Sequence, residues 1–191
     1  MTPTPTIDHR PADSRFHTDI GWLDSWHSFS FGDHYDAGNT GHGLLIVSND
    51  DRVAPAGGFG THGHRDMEII TWVLRGSLVH QDSTGHAGVI HPGLAQRMSA
   101  GTGILHSEKN DSRRHHGDRH TEPVHFVQMW VVPDDDGVEP GYAQREIDAE
   151  LLSGAIVPSR RGWRGTRTTV RSESRTSTRP CTPRACRPGS R

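Results

Sequence analysis

The strongest constraint on this chain is a succession of short apolar runs cut by glycine, proline, asparagine and aspartate. Leu44-Leu45-Ile46-Val47 reads as a buried strand closed by Asn49-Asp50. Met67–Leu74 is rich in β-branched and aromatic residues, and Arg75-Gly76-Ser77 turns it into Leu78–Asp82, a hairpin signal. Turns at Ser83-Thr84-Gly85 and His91-Pro92-Gly93 separate strands expected at Gly88–His91, Ala95–Ser99 and Ile104–Glu108. Val124–Val132 reads as the last strand. Gly57-Gly58-Phe59-Gly60 is a turn or bulge signal; neither the Lys nor the helix pattern of a phosphate loop follows it. The aromatic stretch Gly21–Phe31 has no 3.6-residue period, so β propensity makes it an extended segment plugging part of a β core. No amphipathic helix precedes residue 143, and one or two helical turns are expected between Glu146 and Leu152. This pattern predicts an all-β barrel or sandwich.

The 191 residues carry a formal net charge of −2, an average over two unlike parts. Residues 1–158 hold 11 basic and 22 acidic side chains, net −11; residues 159–191 hold ten arginines and one glutamate, net +9. All 15 histidines lie between His9 and His125, and both cysteines, Cys181 and Cys186, lie in the basic segment. The acidic body therefore has no thiolate for a zinc or iron–sulfur site, and any metal there must use His and carboxylate ligands. Nor does it have a disulfide framework, which fits a cytoplasmic protein. No apolar run approaches the ~18 residues of a membrane span. Met1–Ile7 lacks the basic-then-apolar order of a signal peptide.

Two pairs carry the chemistry: His62-Gly63-His64 and His106-Ser107-Glu108. In a strand, residues i and i+2 share a face. In a helix the same spacing would set them about 200° apart. Two strand-borne pairs on facing strands converge four ligands inside a barrel. Three imidazoles and one carboxylate suit a divalent first-row metal, leaving one or two positions for water, substrate or dioxygen. With neutral His and ionised Glu the centre would carry +1. Among 15 histidines an isolated H-x-H also arises by chance, so the second pair and its context matter. Gly103–Asn110 spells G-x2-H-x3-N, Glu68 follows His64 by four residues, and Gly76 closes that strand. These are the two motifs of a cupin. Glu68 shares the parity of His64 and is expected as a carboxylate behind the ligands. His80, His86, His91 and His125 read as hydrogen-bonded loop or core histidines, and His115, His116 and His120 lie in a charged surface loop, Asn110–Glu122. Trp22, Trp26 and Phe29 either line the pocket mouth or simply pack.

The stretches Gly21–Phe31, Gly58–Gly85, Met98–Asn110 and the strand around His125–Pro133 closely resemble the pirin family, in particular its bacterial quercetin 2,3-dioxygenase-like branch. The resemblance covers roughly residues 18–157. It implies the N-terminal cupin, a double-stranded β-helix or jelly-roll barrel, of a two-cupin protein. It also implies a metal held by His62, His64, His106 and Glu108. Where the family usually has Pro between the first two histidines, this chain has Gly63. The implied metal is Fe(II), and such a mixed N/O site also accepts Mn, Ni, Co or Cu. The implied reaction is cleavage of a flavonol by O2, with Glu108 accepting the proton of the 3-hydroxyl. The resemblance also permits a second class, an iron-dependent redox sensor or transcriptional cofactor that binds a protein partner, and a third, structural reading is an inert cupin, a truncated inactive copy.

The expected organisation is a flexible arm over residues 1–15, the metal-binding cupin over 16–135, and a linker or start of a second cupin over 136–158. An Arg-rich disordered tail occupies 159–191. A second cupin of comparable size should follow Val157, yet the composition beyond Ser159 cannot build a strand-rich core. A basic tail that binds polyanions is one reading. The preferred one is GC-rich DNA read out of frame. Back-translating Pro180–Pro188 and starting at the third base of the Pro180 codon permits a strand-like sequence such as Leu-His-Ala-Ala-Arg-Leu-Pro. On that reading the basic charge signals no specific nucleic-acid partner, and the two cysteines are accidental.

Overall fold

A computed structural model describes residues 7–110 and 122–147. The polar start has only a 3-10 turn at Ala12–Ser14. Eleven strands follow: β1 Phe16–Asp19, β2 Leu23–His27, β3 Leu45–Val53, β4 Gly58–His64, β5 Glu68–Arg75, β6 Leu78–Asp82, β7 Ala87–Ile90, β8 Leu94–Ser99, β9 Ile104–Asn110, β10 Val124–Val131 and β11 Gly141–Glu146. They form two antiparallel sheets, β1-β2-β3-β10-β5-β8-β11 and β4-β9-β6-β7. This is the expected all-β cupin. Among the described residues no α-helix occurs, and no helix is long and apolar enough to cross a membrane.

Inward positions of both sheets meet in two apolar clusters. Leu23, Val53, Val73, Val124 and Phe126 of the large sheet pack with Leu78 and Ile90 of the small one. Ile69 and Met98 pack with Ile104 at the other end. These clusters clamp the sheets together and leave the space between them for polar side chains.

Several sequence expectations change in detail. Gly21–Phe31 does extend into the core, as β2, which pairs with β3 along Leu23–His27. Leu44–Val47 does not close at Asn49-Asp50: β3 runs on to Val53. The turn signal is overridden because the inward Asn49 and Asp51 find partners, His27 Nδ1 at 2.9 Å and the Ser25 hydroxyl, while the outward Asp50 accepts from His125 Nε2 at 2.7 Å. Arg75-Gly76-Ser77 is a turn but not a hairpin. Strand β5 pairs with β8 and β10, and β6 with β7 and β9, so the turn carries the chain from one sheet to the other. Gly76 makes this crossing at φ +80°, where an added Cβ would lie 3.1 Å from Val124 Cα. Glu146 ends a strand rather than starting a helical turn, because residues 141–146 pair with β8. The proposed surface loop falls mostly outside the described residues, as do residues 148–191 with the Arg-rich tail and both cysteines.

Candidate metal centre

The site is built on two neighbouring strands of the small sheet. Strands β4 and β9 pair antiparallel, with His62 directly opposite His106. A register shift between Phe59 and His62 puts the expected bulge at Gly60-Thr61 and sets the parity of His62 and His64 toward the interior. On β9 the inward set is Ile104, His106, Glu108 and Asn110, all buried. The two pairs therefore sit side by side on one sheet rather than on strands facing across the barrel. Close approach of β4 to β9 is secured by Gly58: a Cβ there would meet the Glu108 carbonyl and lie 2.6 Å from Lys109 Cα.

Three of the four expected ligands converge. Ring centroids of His62, His64 and His106 lie 4.4 to 4.9 Å apart, and one ring nitrogen from each falls within 4.8 Å of the others. His62 Nδ1–H donates to the Gly60 carbonyl at 2.7 Å, which leaves Nε2 bare, and that atom faces His106 Nε2 at 3.0 Å. Burial, reinforced by the neighbouring imidazoles, pushes His64 down to about 4 and His106 down to about 3. These rings stay neutral at physiological pH, the form that ligates.

Glu108 falls into a second, overlapping group with His106 and His80. Gln128 Nε2 donates to one of its oxygens at 2.8 Å, and Thr71 Oγ1 approaches the other at 3.5 Å. Burial pushes its carboxyl up to about 7 despite those donors. Glu68 lies elsewhere. It accepts from Ser99 Oγ at 2.8 Å and pairs with Arg97 at 3.5 Å, a role in the large sheet and not behind the ligands.

The remaining histidines divide as hydrogen-bonding satisfaction demands. His125 is held by Asp50, His86 by Thr84 Oγ1 at 2.9 Å, and His91 contacts Pro92 O and Glu146. His115, His116 and His120 lie outside the described residues. His80, read from sequence as a loop or core histidine, is fully buried beside the centre and bonded to Asp82. Its signal was available: His80 shares the parity of core Leu78 on β6, and Asp51 shares that of Val47 and Val53 on β3. A polar side chain at a core-parity position is a candidate site residue.

A cavity of about 550 Å³ opens onto the centre between the sheets. His62 and Glu108 form one wall; Phe31, Phe59 and Trp130 supply aromatic faces; Gln128 reaches in from β10. Trp130 also meets His64 edge-on, with centroids 4.9 Å apart. Of the aromatics suggested by sequence, Trp22 packs against Phe59 and Trp26 stacks on His17, so neither lines the cavity. The donor set fits a divalent metal. Three imidazoles converge, a Glu108 carboxylate oxygen lies in the overlapping group with His106, the bare nitrogen of His62 is preset, and His106 Nδ1 is buried without any partner.

Comparison with known proteins identifies the family. The sequence model of the Pirin family matches residues 9–131. A Mycobacterium tuberculosis protein named as a candidate quercetin 2,3-dioxygenase is 64 % identical over 154 residues, covering 81 % of this chain and 60 % of that protein. The quercetin 2,3-dioxygenase of Escherichia coli K12 is 49 % identical over 140 residues, covering 73 % of this chain and 58 % of that protein. The crystal structure of the E. coli bacterial pirin YhhW in complex with nickel(II) superposes with a TM-score of 0.67 at 46 % identity, covering 73 % of this chain and 57 % of that one. The chain thus spans about three fifths of the length of the curated relatives it matches.

Proposed function

The chain belongs to the pirin family, and on that premise we propose that it is a metal-dependent dioxygenase that opens the ring of a flavonol-type substrate with O2. The observation that carries this reading is the convergence of His62, His64 and His106, with His62 and Glu108 on the wall of an aromatic-lined cavity of about 550 Å³. His62, His64, His106 and Glu108 would hold Fe(II), with Mn, Ni, Co or Cu as substitutes. Bound there, the metal would supply Lewis acidity toward a hydroxyl and an adjacent carbonyl oxygen.

The chain's own residues do the rest. Phe31, Phe59 and Trp130 sandwich a flat aromatic ring and exclude water from it. Glu108, held by Gln128, receives the hydroxyl proton. Ring opening then consumes one O2 and releases one carbon monoxide. The cysteine-free body supports a cytoplasmic setting.

The test is turnover by the full chain reconstituted with Fe(II) in air, followed by chromatography of the flavonol and detection of carbon monoxide. A ring-opened product that requires both metal and O2 is expected. A stoichiometrically iron-loaded protein that leaves every flavonol intact would favour a metal-bearing binding protein instead.

A further inference from the structure

His80 and Asp82 sit behind the three converging histidines, on the strand next to β9. In register, His80 lies opposite Glu108 and Asp82 opposite His106. Both side chains are fully buried. Asp82 Oδ1 is fixed by the backbone N–H groups of Thr84 and His86, at 2.9 and 3.1 Å, and by the Thr84 hydroxyl at 2.7 Å. Its Oδ2 lies 3.2 Å from His80 Nε2. A carboxylate only accepts, so His80 carries its proton on Nε2 and presents a bare Nδ1. That Nδ1 is buried and has no partner.

The same accounting applies to His106. Because His62 Nδ1–H is committed to Gly60, the proton between the two facing Nε2 atoms belongs to His106. His106 Nδ1 is then bare, and it too is buried without a partner. A ring nitrogen of His80, a ring nitrogen of His106 and a carboxylate oxygen of Glu108 lie within 4.8 Å of one another. The His80 and His106 rings lie 5.4 Å apart between centroids, each with a buried, unsatisfied Nδ1 lone pair; such lone pairs are costly, and one proton shared by the two rings would satisfy both.

We propose that His80 is a positioning residue of the metal centre: when His106 turns its Nε2 lone pair to a cation, its proton moves to Nδ1 and is accepted by His80 Nδ1, which Asp82 keeps bare. The change is a tautomer exchange within His106, with no net proton gained or lost. It gives His106 the outer partner that a ligating histidine needs, the role the Gly60 carbonyl already plays for His62. Asp82, His80 and His106 thereby form a hydrogen-bonded line running from the Ser83–Gly85 turn to the cation. This inference rests on the reading of His62, His64 and His106 as ligands.

Imidazole ¹⁵N–¹H correlation spectra of the full chain read the tautomers directly. In metal-free protein, His80 and His106 are expected as Nε2–H; with zinc(II) as a diamagnetic probe, His106 is expected as Nδ1–H. Calorimetric titration with nickel(II) gives the second readout. His80→Leu, which fills the space without an acceptor, should weaken binding by about 10- to 100-fold. His80→Asn, whose Oδ1 stands near the position of Nδ1, should restore most of it. His106 remaining Nε2–H in zinc-loaded protein, or His80→Leu binding nickel(II) as tightly as wild type, would overturn the proposal. Failure of the wild-type chain to bind either ion would instead overturn the ligand reading and this inference with it. The spectra need no substitution, so a variant that does not fold leaves the test standing.

Discussion

At His106 a single side chain answers to three neighbours: His62 across the strand pair, His64 beside it and His80 behind it. Burial keeps His64 and His106 uncharged, so at neutral pH a cation meets no competition from protons at these two rings. The carboxyls show the opposite effect. Desolvation pushes Asp51 from the ordinary 3.8 up to about 7, outweighing the Ser25 hydroxyl that donates to it. Folded Asp51 therefore holds a proton that the unfolded chain releases between those two values. Its contribution to stability is fully present below pH 3.8 and is lost as pH rises through about 7. Glu108 acts in the same sense, whereas His64 and His106 gain stability as pH rises toward 6.5. Asp51→Asn removes one buried ionisation and keeps an acceptor for Ser25. Denaturant melts of metal-free protein should show it more stable than wild type at pH 8.5, by on the order of a few kcal/mol, with the gain falling to about a third of that at pH 5. An equal gain at both pH values would contradict the assignment.

At the scale of elements, the geometry of the site is the spacing of β4 against β9. Gly58 holds that spacing, since any Cβ would strike the backbone of Glu108 and Lys109. Gly58→Ala should cost about 1–3 kcal/mol by chemical denaturation and weaken metal binding at least tenfold, because His62 and His64 move away from His106. A variant that loses stability while keeping wild-type affinity would show that the ligands do not depend on this contact. The same strands show what the sequence could reveal. Period two put His62 with His64, and His106 with Glu108, because side-chain alternation is local and needs no knowledge of the partner strand. It did not show that the two pairs lie on adjacent strands, since pairing is a property of the whole topology. Arg75-Gly76-Ser77 illustrates the limit: the residues that close a hairpin also suit a crossing between sheets, and only the partners of β5 and β6 distinguish them. Asn49-Asp50 failed as a stop signal for a related reason. Its polar groups are satisfied by His27 and His125, distant in sequence. Strand β11 was missed because Gly141–Glu146 lacks apolar alternation; it is an edge strand held by its pairing with β8.

At the scale of the whole molecule, all four candidate ligands fall within 47 residues of a body whose sequence carries a net charge of −11 over residues 1–158. Such a field raises the local concentration of cations, more so at low ionic strength. A cation bound only by the folded site also stabilises it, by about 2.7 kcal/mol at a free concentration 100 times the dissociation constant. In the proposed centre this stabilisation comes from one ion held by His62, His64, His106 and Glu108. Surface histidines such as His17, His86 and His91 bind transition metals weakly, so stoichiometry and substitution must be read together. The most direct measurement is nickel(II) bound per full-length chain after exhaustive dialysis, for wild type, His62→Ala and His106→Ala. One ion per wild-type chain and none in either variant is expected. Wild type retaining no ion, or His62→Ala and His106→Ala retaining as much as wild type, would contradict it.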